Sequence, residues 1–190
     1  MNKKPETSAP LTELLEKRWS PRAFDEAHTI SNQDTLSILE AGRWAPSASN
    51  GQPWRFSVAV RGSELHAKVV EGLIGFNQAW APDASALIVL SIKKNDDGSS
   101  SARNFYDAGL AMALICVQAQ SLNLHTHQMS GIVADVLQQG LSIPDEFEAA
   151  VVVAVGKITG AEKFEGAAFD REVAPRTRLS LDEIVLHGKP

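Results

Sequence analysis

The chain has 190 residues, of which 44% are hydrophobic and 22% charged, with a formal net charge of -5. That supplies one domain with a sizeable core, and Cys116, the only cysteine, excludes an internal disulfide and a cysteine-built zinc site. The acidic balance argues against a broad nucleic-acid surface, and with no signal-like start and no run of about 18 apolar residues the expectation is a soluble, cytoplasmic protein without membrane contact.

Leu11, Leu14, Leu15 and Arg18 fall at helical spacing after Pro10, so a first helix is expected to deliver Arg18 at its end. Ser31 with Asp34 three residues on marks the start of a second helix reaching about Trp44, which Pro46 stops. Ala45 to Phe56 is the most distinctive loop: small hydroxyl residues, an Asn50–Gly51 turn, then Pro53 and Trp54 entering a strand. Such a polar ledge can accept a flat heterocycle, although an ordinary helix-to-strand connection reads the same way.

Trp54 to Val60 alternates as a strand does, and Ser63 caps a helix holding Leu65, Val69, Val70 and Leu73. Ala86 to Ile92 reads as a fully buried, central strand. Lys93 to Ser101 is polar and charged and is expected to be mobile or disordered. Asn104 to Leu122 is the expected central helix, with Gly109 and several alanines permitting close approach of another helix, as at a subunit interface. A short strand over 122–128, the Ser130–Gly131 loop, a helix over 132–139 ended by Gly140, and a buried strand over 151–155 follow. The tail, about 160–190, has no room for a core of its own and must pack on its domain or a partner. No internal repeat is evident.

Arg18, Trp19, Ser20, Pro21 and Arg22 place two guanidiniums around a hydroxyl, and Arg176, Thr177 and Arg178 repeat that pattern near the other end. Arginine suits bidentate contact with phosphate oxygens, so two such clusters suggest one small phosphorylated ligand. Arginines beside hydroxyls on loops are also commonly just solvated. No GxGxxG, GxxxxGK or nucleophile-elbow motif is present. Ser47 and Ser49 have no neighbouring base in sequence, and only a distant one such as His125 would serve. His125 and His127 share a strand face at metal-ligand spacing but lack further ligands, so no metal site is expected. Asp107 and Asp135 read as capping or pairing groups rather than a catalytic dyad.

Taken in order, Arg18 to Phe24, Pro46 to Trp54, Phe76–Asn77 with Asp83, Ala84 and Ser85, then Ser130–Gly131 and Arg176 to Arg178, resemble the nitroreductase family of FMN flavoproteins. The similarity runs from about Leu11 to Val185. It implies an α+β fold: a mixed, mostly antiparallel sheet flanked by helices, a single FMN-binding domain over residues 1–190, and an intertwined homodimer in which 160–190 packs on the partner subunit. It also implies that Arg18, Ser20, Arg176 and Arg178 hold the FMN phosphate and ribityl end, and that Arg22 lies by the pyrimidine side, where a cation stabilises reduced flavin. Asn77 would bond the flavin's polar edge, and Ser130 and Gly131 would present backbone near N5. Pro46, Ser47 and Ala48 would reach the flavin from the other subunit, with Asn50 bracing their loop.

The activity implied is hydride transfer from NADH or NADPH through flavin N5 to a nitroaromatic, quinone or similar small acceptor, in alternation, with no catalytic side chain required. The rivals are a flavin dehydrogenase running in the oxidative direction, a non-catalytic flavin-binding or redox-sensing protein, and a structural domain that has lost flavin. Some family members carry an acidic residue where Ser130 stands and a basic one where Trp80 stands, which leaves the pocket over the flavin open.

Overall fold

The structure, a computed structural model, describes residues 3–188. Four strands, β1 (Trp54–Val60), β2 (Ala86–Lys93), β3 (His125–Met129) and β4 (Phe147–Gly156), form one sheet in the order β1-β2-β4-β3. All three pairings are antiparallel, with an irregularity between Leu90 and Ser91 on β2.

The apolar run of β2 is buried because the sheet is covered on both faces. Leu87 and Val89 enter one core with Val69, Leu73, Leu137, Trp80 and Phe24. Ile88, Leu90 and Ile92 enter a second with Ile38, Ala108, Ala111, Met112 and Ile115. Alternate residues therefore serve opposite faces, with helices α3 (Glu64–Glu71) and α5 (Ala134–Gly140) over one and α2 (Asn32–Arg43) and α4 (Ala102–Ser121) over the other.

Helix α1 (Glu13–Lys17) is shorter than its pattern suggests and begins after Thr12 rather than at Pro10. The cap of α2 forms as expected, Ser31 Oγ accepting from Asp34 N at 3.0 Å. Strand β4 starts at Phe147, earlier than its apolar run, because it pairs with β2 out to Lys93. The segment expected to be mobile forms an exposed turn: Asn95 N donates to Ser99 O (2.9 Å), Asp97 accepts from Ser99, and Ser100 Oγ donates to Glu148 (2.8 Å). Its polar composition satisfies local hydrogen bonds rather than water alone.

The tail divides. Ala161 is buried and α6 (Gly166–Val173) docks on its own domain, whereas α7 (Leu181–Ile184) and its flanks leave Leu179, Leu181, Ile184 and Leu186 exposed, up to 82% for Leu186. The last two residues lie outside the described range.

Candidate functional site

Arg18 closes α1, its N–H bonding Leu14 O at 3.1 Å, and the chain beyond it runs beside the edge strand β3. Trp19 meets His125 edge-on at 6.4 Å, His127 Nδ1 donates to Pro21 O (2.9 Å), and Ala23 O accepts from Thr159 N (2.9 Å). Trp19, Pro21 and Ala23 are buried, so Arg18, Ser20 and Arg22 are directed to the other side, as alternation in extended backbone requires. Burial pushes His125 and His127 down to about 4, and the neighbouring Arg18 and Arg22 act in the same direction. Both rings are neutral near pH 7.

The second arginine cluster folds back onto the first. Arg176 Nη1 donates to Glu16 O (2.6 Å) and Lys3 O (2.9 Å), and its pKa is lowered by burial and then by Arg18 and Arg178. Three guanidiniums thus lie within electrostatic reach of one another, and among the described residues none of them is ion-paired. Ser20 is exposed beside them. An arrangement of this kind is poised for an anion, most simply a phosphate.

Glu172 on α6, 1% exposed, joins the two clusters. Its carboxylate accepts from Arg22 N (3.1 and 3.0 Å) and Ala23 N (3.1 Å), fixing the backbone that carries Arg22 to the helix that leads into Arg176. Sequence reasoning missed this residue, since nothing in the local pattern separates it from the exposed Glu162 and Glu165.

Asn77 and Gly131 also come together. Asn77 Nδ2 donates to Gly131 O (3.3 Å), Ile74 N donates to the same oxygen (3.2 Å), and a Cβ at position 131 would lie 3.0 Å from Asn77 Nδ2. A side chain there would make Asn77 and Ile74 give by a few tenths of an ångström. The Asn77 carbonyl remains an available acceptor and Ser130 is exposed. Trp80, by contrast, is fully buried, stacked on Phe24 (6.1 Å) and 4.6 Å from the His127 ring, so it belongs to the core and not to a pocket wall.

Pro46, Ser47, Ala48 and Asn50 lie elsewhere. Their loop holds positive φ at Ser49, Asn50 and Gln52, a strained run for non-glycine residues. It is braced by Asp107, 4% exposed, whose Oδ2 accepts from Ala48 N at 3.0 Å. Ser47 Oγ accepts from Gln52 N (3.0 Å) and Asn50 O from Gln52 Nε2 (3.1 Å). The loop enters β1 at Trp54, which lies level with Ile92 and Glu148, whereas His127 lies level with Ala154 on the opposite edge. Six residues along the strands and three strand spacings across put the two places roughly 25 Å apart. Within one protomer the loop does not meet the arginines.

The sequence model of the Nitroreductase family matches residues 15–75 and 74–157. The chain belongs to the Nitroreductase family. This nitroreductase-family chain is 30% identical over 131 residues to an oxygen-insensitive NADPH nitroreductase of Helicobacter acinonychis, covering 67% of this chain and 61% of that protein. It therefore spans under two thirds of that relative. A solved oxidoreductase containing FMN is 36% identical, with a TM-score of 0.89 over 100% of this chain and 97% of the other. A Nitroreductase Family Protein from Streptococcus pneumoniae TIGR4, at 21% identity and a TM-score of 0.77 over 93% and 98% of the two chains, shares the fold. The nitroreductase-like α+β fold with a sheet flanked by helices is observed, and the sheet, expected to be mixed, is antiparallel throughout its described strands.

Proposed function

We propose that this chain is a cytoplasmic, homodimeric FMN-dependent oxidoreductase that draws on NADH or NADPH. The single observation that carries the reading is the cluster of Arg18, Arg176 and Arg178, none of them ion-paired among the described residues, beside the outward-facing Ser20 and Arg22. The donor set fits a flavin mononucleotide: guanidiniums for the phosphate, a hydroxyl beside them, Arg22 as a cation for the pyrimidine side, and the Asn77–Gly131 pair for the polar edge. FMN, when bound, supplies two-electron transfer between a nicotinamide donor and a small acceptor.

The residues of this chain then have separate tasks. Arg18, Arg176 and Arg178 bind the phosphate, and Arg22 favours negative charge on the ring system because it is half-buried and held by its backbone. The Asn77 side chain is oriented by Gly131 O, which leaves its carbonyl for the ligand. Pro46, Ser47 and Ala48, whose loop enters the sheet at Trp54 on the edge opposite His127, complete the site from a second copy, as does the exposed apolar segment from Leu179 to Leu186 by packing there. A nitroaromatic or quinone would then take the donor's place in the same opening.

Steady-state oxidation of NADH and NADPH with menadione or a nitrofuran tests the activity. Turnover with either acceptor is expected. A protein that holds FMN but shows no turnover would be a flavin-binding protein or a dehydrogenase of the oxidative direction, and the reductase reading would be withdrawn.

A further inference from the structure

Two guanidiniums converge on one exposed aromatic ring next to Asn77. Arg171 Cζ lies 5.0 Å and Arg22 Cζ 5.7 Å from the centroid of Phe76, whose exposure is 38%. Neither arginine is ion-paired among the described residues. Like charges are brought together at a cost unless something fixes them, and here Glu172 does so. Its buried carboxylate, bonded to the amides of Arg22 and Ala23, ties α6 to that backbone, so the backbone at Arg171 is fixed beside the ring that its guanidinium covers. Glu172 offsets part of the charge of Arg22, yet its oxygens face the amides and leave the Arg171 guanidinium unneutralised.

We propose that Arg171, Arg22 and Phe76 form a subsite for the charged end of an anionic aromatic compound, a benzoate-like carboxylate, so that Arg171 determines acceptor specificity. This rests on the reading that places the flavin beside Arg22 and Asn77. Both guanidiniums stand against the ring of Phe76, and their forked donors match a carboxylate, while the aromatic body lies over the flavin that this reading places beside them. A neutral acceptor gains no such charge-assisted contact. The subsite therefore discriminates by charge at one end of the acceptor, independently of the chemistry at the other.

The test needs no turnover. Calorimetric binding of benzoate and of benzamide to the protein as purified is compared for the natural chain, Arg171→Ala and Arg171→Glu. Benzoate is expected to bind about tenfold more tightly than benzamide, as a charge-assisted contact implies, with affinity falling as salt rises. Arg171→Ala should reduce the preference and Arg171→Glu should abolish it. Equal binding of the two ligands, or a preference unchanged in Arg171→Glu, overturns the proposal. Overall damage to the protein would lower both affinities and leave their ratio in place, which also overturns it. Reduction of neutral nitrofurazone by the natural chain reports on the oxidoreductase reading separately: failure there sinks that reading, while the benzoate comparison still decides the subsite.

Discussion

Glu172 and Asp107 perform the same physical task at opposite ends of the sheet, each holding a loop by its backbone amides from a nearly water-free position. A buried carboxylate is stable there because N–H groups replace its water. Removing either acceptor strands amides, so Asp107→Ala is expected to lower stability by about 1–3 kcal/mol, read from the urea midpoint at unchanged slope. Arg18→Ala and Arg178→Ala should behave in the opposite manner, weakening FMN binding about tenfold each while the melting temperature of the FMN-free protein holds. Unchanged affinity in both would remove the phosphate assignment. The arginines were legible in the sequence because their pattern with Ser20 and Thr177 is local. Glu172 was not, because its partners Arg22 and Ala23 lie about 150 residues away and only the fold joins them.

At the scale of elements, β3 gives the clearest dependence on pH. His125 and His127 are each held near 4 by burial, against about 6.5 in an unfolded chain. A depressed histidine contributes stability that is fully present above the unfolded value and lost as pH falls from about 6.5 toward about 4. Unfolding near pH 5 should therefore take up close to two protons more than in the double variant His125→Gln/His127→Gln, measured as the slope of stability against pH. Helix packing supplies another expectation. A Cβ at Gly42 would lie 2.8 Å from Ile115 Cδ1 and 3.2 Å from Phe56, so Gly42→Ala should cost about 1–3 kcal/mol by overpacking the contact of α2 with α4. The buried run of β2 and the caps Ser31 and Ser63 were readable because propensity and period agreed with the fold. The hydrogen bonds of the turn over 93–101 were not legible, because composition records polarity and not the partners that polarity finds, here Ser99, Asp97 and Glu148.

For the whole molecule, the register of the sheet matters most. It separates Trp54, where the 46–50 loop enters the sheet, from His127 on the opposite edge by roughly 25 Å, and Trp44, Tyr106 and Leu36, at 72, 69 and 62% exposure, lie on the side of α2 and α4. A homodimer would cover this apolar surface and bring one protomer's loop to the other's arginines. Mixing an Arg176→Ala/Arg178→Ala protein with one altered at Ser47 and Ala48, each poor in FMN retention, should restore one intact site in each heterodimer and so recover part of the bound flavin. No recovery after subunit exchange would contradict a shared site. The order of the motifs was enough to reach the family from sequence, yet the distance between them is a property of strand pairing and became measurable only in the structure.

The most direct test of the central reading is the visible spectrum of the purified protein under anaerobic conditions, before and after NADH and then NADPH. A flavin band that bleaches with at least one donor is the expected result, and the donor that bleaches it first gives the preference. A protein without a flavin band that also fails to take up added FMN would contradict the account, because the cluster of Arg18, Arg176 and Arg178 would then not be a flavin phosphate site.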